Sequence, residues 1–214
     1  MKLKLYHYWR SSSSWRVRWA FAHKNIPCEY IAISLLNGEA ESPEHLKRNP
    51  LGFVPVLEMI NGNDSKFLSE SMAIIQWADE THPQPSLLPG DAYQRARVRQ
   101  LSEIITADTQ PLQNLNPMQL HSDDTEKQRE WARHWIHRGL SAYETLVKST
   151  AGKFSFGDTL TIADLALIPQ CYNAKRFEVV LDAFPTVAKI YENALATPSC
   201  QASAPDRFAP PEAQ

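Results

Sequence analysis

Thr81-His82-Pro83-Gln84-Pro85-Ser86-Leu87-Leu88-Pro89-Gly90 places three prolines and a glycine within one short stretch. No continuous helix or strand crosses such a segment, because proline fixes φ and lacks a backbone donor. A chain of 214 residues is long enough for two small domains, so the predicted boundaries are residues 1–81, a linker at 82–90 and residues 91–214. The patterns on the two sides of the joint differ.

Before the joint, strands and helices alternate. Leu3 to Tyr8 reads as a strand and Ser12 to Lys24 as a helix. Val17, Ala20 and Phe21 share one face of that helix, and Trp15, Trp19 and Ala22 share the other. A helix apolar on two sides needs two covers: the sheet is one, and the other comes from elsewhere in the chain or from a partner. Cys28 to Ile33 is a second strand, and Pro43 to Arg48 is helical or irregular. Val56 to Ile60 and Lys66 to Leu68 form strands around Asn61-Gly62-Asn63-Asp64, residues tolerant of positive φ that suit a hairpin. Ser69-Glu70-Ser71 then precedes a helix from Met72 to Trp77.

Beyond Ala92 the strand signals fade, and helices are predicted at about 92–108, 125–149, 161–173 and 185–196. Thr161-Ile162-Ala163-Asp164 has capping-box spacing ahead of an apolar run. Ala202 to Gln214, rich in Pro and Ala, is expected to be a loose tail. The expected fold class is thus α/β plus all-α, with a small mixed sheet followed by a helical domain.

Composition excludes several functions. The 22 basic and 24 acidic residues leave a formal charge of −2 with no basic run, so neither nucleic acid nor a membrane surface is an expected partner. No apolar run would span a bilayer, and Met1-Lys2-Leu3-Lys4 lacks the apolar core of a signal peptide. A cytoplasmic location is expected. Cys28, Cys171 and Cys200 form neither metal-ligand spacing nor a disulfide framework.

Chemistry enters at Ser11-Ser12-Ser13-Ser14-Trp15-Arg16-Val17-Arg18, where four hydroxyls fall between the first strand and the first helix. Free amides and the positive end of a helix dipole suit phosphate, carboxylate or thiolate. The alternative is a serine-rich helix cap without a ligand.

This run, with Val54-Pro55, Glu70-Ser71, the proline-rich joint and the Thr161–Asp164 cap, resembles the cytosolic glutathione transferases. The resemblance is strongest to their zeta class, the maleylacetoacetate isomerases, which carry Ser-Ser-Cys-x-Trp-Arg-Val-Arg at the first helix. Gln110-Pro111-Leu112-Gln113-Asn114, Ser149-Thr150-Ala151-Gly152 and Asn173-Ala174-Lys175-Arg176-Phe177 follow the same family's style. Ser13 departs from it by standing where the family usually has Cys.

The resemblance implies a thioredoxin-like first domain with a mixed four-stranded sheet, an all-helical second domain, a homodimer, and glutathione as cofactor. It implies that Ser11 or Ser12 holds the glutathione sulfur, with Ser13 beside them. Val54 would pair with the cysteinyl backbone next to a cis Pro55, and Glu70 and Ser71 would hold the γ-glutamyl end. Gln110 and Asn114 would also contact glutathione, while Arg10 and Arg176 would grip a substrate carboxylate. Arg16 is left unassigned, and Arg18 is expected in a salt bridge. His7, His121 and His134 are expected to be structural or on the surface.

The implied activity is glutathione-dependent cis-trans isomerisation of maleylacetoacetate to fumarylacetoacetate, a step of tyrosine and phenylalanine breakdown. Alternatives are a general glutathione transferase or peroxidase, a maleylpyruvate isomerase, or the same fold kept as a binding module. Lowering a thiol pKa by two units takes about 2.7 kcal/mol. A helix N-terminus supplies ~0.3–2 kcal/mol and a hydrogen bond to a charged group ~1.5–3 kcal/mol, so a helix end with one or two serines suffices.

Overall fold

Leu3 and Leu5, alternating with lysines, turn one face of β1 (Lys2–His7) into a core. In the computed structural model, which describes residues 1–211, β1 is a central strand of a four-stranded sheet ordered β2-β1-β3-β4. It pairs in parallel with β2 (Glu29–Ala32) and antiparallel with β3 (Val56–Asn61). β3 turns through Gly62 (φ 63°) into antiparallel β4 (Asp64–Leu68). α1 (Ser12–His23), the short α2 (Pro43–Arg48) and α3 (Ser71–Thr81) complete the predicted order.

The chain divides into two units, Met1–Ser86 with the segment from Pro198 onward, and Leu87–Thr197. The division falls inside the predicted linker, whose two halves are each anchored in one unit. Lys24 Nζ donates to the carbonyls of His82 (2.6 Å) and Pro85 (2.7 Å) and pairs with Asp79 at 2.7 Å. Leu87 is fully buried in the second unit, and its carbonyl accepts from Ile162 N at 3.1 Å.

The expectation of a loose tail belonging to the second domain is corrected by the structure. Pro198–Ser203 forms α9 and packs against α1 in the first unit. Trp15 Nε1 donates to Ser203 Oγ (3.2 Å) and Trp19 Nε1 to Ser199 Oγ (3.0 Å). Farther on, Phe208 packs edge-on against His7 and Tyr30. The second apolar face of α1 needs a cover, and the chain's own end supplies it. Residues 212–214 of the predicted tail lie outside the described residues.

The second unit contains α4 (Ala92–Thr106), α5 (Leu115–His121), α6 (Thr125–Val147), α7 (Ile162–Arg176) and α8 (Pro185–Leu195). The two short helices, α5 and α9, have no counterpart in the sequence reading. Seven and six residues are too few to display a 3.6-residue period. At the start of α7, the buried Asp164 carboxylate accepts from Ser155 N (2.7 Å), Thr161 N (2.9 Å) and the Thr161 hydroxyl (2.9 Å). Burial raises its pKa, and these hydrogen bonds oppose the rise. No helix among the described residues is long and apolar enough to cross a membrane.

Candidate functional site

β1 delivers the chain to the serine run through a turn in which Ser11 N donates to Tyr8 O at 3.1 Å. Ser11 is the N-cap of α1, with extended backbone (φ −67°, ψ 124°), and its Oγ accepts from Ser14 N at 3.1 Å. A hydroxyl carries one donor and two lone pairs, so this cap leaves the Ser11 proton free for an anion. Ser12 and Ser13 follow in the first turn, half-buried. Ser14 is fully buried and turns inward, its Oγ accepting from Tyr8 N at 3.4 Å.

Arg18 makes no salt bridge with any carboxylate among the described residues, which corrects the expectation for it. It is fully buried and donates to Trp9 O (2.9 Å), Tyr8 O (3.4 Å) and Ser203 O (3.2 Å), with its guanidinium 4.5 Å from the Phe208 ring centroid. Its Nη1 also lies 3.0 Å from His7 Nδ1. Arg18 therefore holds the turn that carries Arg10 and Ser11. Burial lowers its pKa to about 9. Burial, then the neighbouring Arg18, hold His7 at about 3, so the ring is neutral and accepts. Arg10 itself is half-buried beside the Trp9 ring.

A second helix start lies close to the first. Arg16, 2% exposed, donates Nη1 to Ser71 Oγ at 3.0 Å, tying α1 to the first residue of α3. Glu70, the N-cap of α3, is exposed and holds φ 66° and ψ 108°. A non-glycine residue rarely adopts such angles, which cost roughly 1–3 kcal/mol and tend to cluster at functional sites. Val54 precedes a cis bond to Pro55 and packs beside Tyr6, Ile33, Ala40 and Val56. Its N–H and C=O have no hydrogen-bond partner among the described residues. A residue with both backbone groups unpaired can bond to a peptide.

The first unit holds Ser11, Ser12, Val54, Glu70 and Ser71, with Ser71 tied to α1 through Arg16 and Val54 packed beside Tyr6 of β1. Gln110, Asn114 and Arg176 belong to the second unit. Gln110 lies in the turn after α4, and Asn114 caps α5 by accepting from Leu115 N at 2.8 Å. That turn is fastened to α7 by a buried reciprocal amide pair, Gln113 with Gln170, at 2.8 and 2.9 Å. Arg176 ends α7, exposed, and donates to Asn173 Oδ1 at 3.2 Å. His121 stacks on Trp131 at 4.3 Å and His134 meets Trp135 edge-on. Sequence reasoning missed the roles of Arg16, Arg18 and the Gln113–Gln170 pair. The apolar residues around the two arginines are a signal that they are buried, but not of which oxygen each would hold.

The chain is similar to known proteins along nearly its whole length. Residues 5–86 match the glutathione S-transferase N-terminal domain, and residues 112–202 the glutathione S-transferase C-terminal domain. The maleylacetoacetate isomerase of Dictyostelium discoideum is 43% identical over 202 residues, covering 92% of this chain and 90% of its own. That of Mus musculus is 42% identical over 205 residues, covering 95% and 92%. A maleylacetoacetate isomerase of Anaeromyxobacter dehalogenans 2CP-1, crystallised with GSH bound in its active site, superposes with a TM-score of 0.90 at 46% identity, over 100% of this chain and 98% of that one. A bacterial zeta-class maleyl pyruvate isomerase superposes with the same TM-score of 0.90 at 35% identity, over 99% and 100%. With both domains matched and relatives this similar along nearly its whole length, the chain belongs to the glutathione S-transferase family, in the zeta-class branch of the maleylacetoacetate isomerases.

Proposed function

We propose that this protein is a glutathione-dependent cis-trans isomerase that converts maleylacetoacetate to fumarylacetoacetate. The observation that carries the reading is that the unpaired Val54 N–H and C=O and the capped start of α1 belong to one unit. These groups fit a γ-glutamyl-cysteinyl peptide. When bound, glutathione supplies a thiolate whose reversible addition to the conjugated alkene turns the double bond into a rotatable single bond.

The chain's own residues supply the rest. Ser11 donates its free proton to the sulfur, with Ser12 and Ser13 beside it and the α1 amides favouring the anion. Val54 pairs with the cysteinyl backbone, next to Pro55. Ser71, already accepting from Arg16, donates its own proton to the γ-glutamyl carboxylate, and Glu70 faces the ammonium. Arg10 binds the substrate carboxylate and the negative charge that develops on the adjacent carbonyl, and the family resemblance adds Gln110 and Asn114 as glutathione contacts and Arg176 as a second carboxylate ligand. Location in the cytoplasm and assembly as a homodimer complete the proposal. Exposed Leu46, Leu51 and Phe53 leave apolar surface on the first unit for a second copy.

The test is a spectrophotometric assay of maleylacetoacetate isomerisation with and without glutathione, with maleylpyruvate as competing substrate. Absence of glutathione-dependent turnover overturns the proposal. Faster turnover of maleylpyruvate transfers it to that substrate.

A further inference from the structure

Two side chains that sequence reasoning did not single out converge on one backbone oxygen. His45, fully buried in α2, places Nε2 3.0 Å from the Phe53 carbonyl oxygen. Asn49, 2% exposed at the end of α2, donates Nδ2 to the same oxygen at 3.0 Å. A carbonyl oxygen carries no proton, so His45 Nε2 is the donor. The other ring nitrogen, Nδ1, is buried without a hydrogen-bond partner among the described residues, so the contact with Phe53 is the ring's only one.

The loop between these groups is fixed as well. Asn49 Oδ1 accepts from Leu51 N at 3.2 Å, and Asn49 O accepts from Gly52 N at 2.9 Å. Gly52 has φ 68°, and a Cβ there would stand 3.1 Å from the Ala40 carbonyl oxygen, so the turn is closed to other residues.

The Phe53 C=O and the Val54 N–H belong to one planar trans peptide group, in which they point in opposite directions. Two donors that fix the carbonyl on one side therefore fix the amide proton on the other. Rotation of this peptide plane would break both hydrogen bonds at once. The geometry points to His45 and Asn49 as positioning residues for glutathione: by clamping the Phe53 carbonyl, they aim the Val54 N–H at the cysteinyl carbonyl of the tripeptide. The inference rests on the pairing of Val54 proposed above. Such preorganisation raises affinity by removing an ordering cost at binding.

The experiment is glutathione titration of ¹⁵N-labelled full-length protein, following the Val54 amide, with calorimetric affinity and steady-state kinetics on the same samples. In the unsubstituted protein the Val54 amide proton moves downfield on binding. In His45→Phe, which keeps a ring but loses the donor, that shift shrinks and the glutathione Kd rises about 3- to 10-fold, as for loss of a neutral hydrogen bond. The loss is carried mainly by KM for glutathione. His45→Gln, which restores an N–H, recovers most of it. Asn49→Asp keeps the oxygen that accepts from Leu51 and exchanges the donor for a carboxylate oxygen that repels the Phe53 carbonyl, so it carries the test should His45→Phe not fold. A Val54 amide that does not respond in the unsubstituted protein overturns the pairing of Val54 itself. A normal Val54 response with unchanged Kd in the variants, whatever their melting temperature, overturns the clamp alone.

Discussion

In the proposed site Ser11 combines two tasks in one hydroxyl: it accepts from Ser14 N and would give its proton to the sulfur. Ser11→Ala therefore removes a helix cap worth ~1 kcal/mol and a charge-assisted hydrogen bond worth ~1.5–3 kcal/mol. If the second is felt fully in the transition state, turnover falls about 10- to 150-fold. Thiolate absorbance of bound glutathione should show a raised pKa. A lower melting temperature with an unaltered thiolate pKa would leave the serine as a cap only. Arg176 is proposed for the substrate carboxylate and for no part of glutathione, so its removal should separate substrate binding from cofactor binding. Arg176→Ala should cost roughly 2–5 kcal/mol in kcat/KM for maleylacetoacetate where the pair is desolvated, and much less where it is exposed. Glutathione affinity by calorimetry should be almost constant, and unaltered isomerisation would pass the role to Arg10. The serine run was legible in the sequence as a helix start because local backbone geometry favours hydroxyls there, whereas the use of Val54-Pro55 came from the family resemblance alone. The partners of Arg16 and Arg18 were not legible, because Ser71 and the Ser203 carbonyl come from distant parts of the chain.

At the scale of elements, the capping motif of α7 shows how local spacing becomes tertiary structure. Thr161 and Asp164 are recognisable three residues apart, but the third hydrogen bond, from Ser155 N, comes from the loop before the helix. Asp164→Ala should destabilise the second unit by roughly 2–5 kcal/mol, because two buried backbone donors lose their acceptor. Urea unfolding measures the loss, and Asp164→Asn should recover part of it by retaining one acceptor oxygen. A change below 0.5 kcal/mol, the scale of surface substitutions, would mean that the motif has no structural weight. α1 gives the complementary case. Its two apolar faces were readable, whereas the identity of the second cover was not, since α9 is too short to announce itself by periodicity.

For the whole molecule, the burial of His7, which Phe208 helps to cover, should weaken the first unit in acid. His7 lies against Arg18 and Phe208 and has a folded pKa of about 3 against an ordinary 6.5. The unfolded chain therefore binds a proton below pH 6.5 that the folded one refuses, and stability falls as pH drops from 6.5 towards 3. The slope approaches ~1.4 kcal/mol per pH unit, or about 2 kcal/mol at pH 5. His7→Asn keeps an acceptor for Arg18 and cannot titrate, so its unfolding free energy should lack this part of the acid limb. Identical pH profiles for the two proteins would show that His7 titrates normally.

The sequence by itself determined the two-part plan, the order of strands and long helices, and the residue types at the anion seat. Each of these follows from neighbours within a few residues: prolines that stop a helix, alternation that makes a strand, hydroxyls that cap. Only the tertiary structure decided that the segment from Pro198 joins the first unit and that Arg18 grips carbonyls instead of a carboxylate. The same holds for His45 and Asn49, which meet on the Phe53 oxygen. Those outcomes depend on which buried donors find which acceptors once the chain is packed, and buried polar groups are satisfied by proximity in space, not along the sequence.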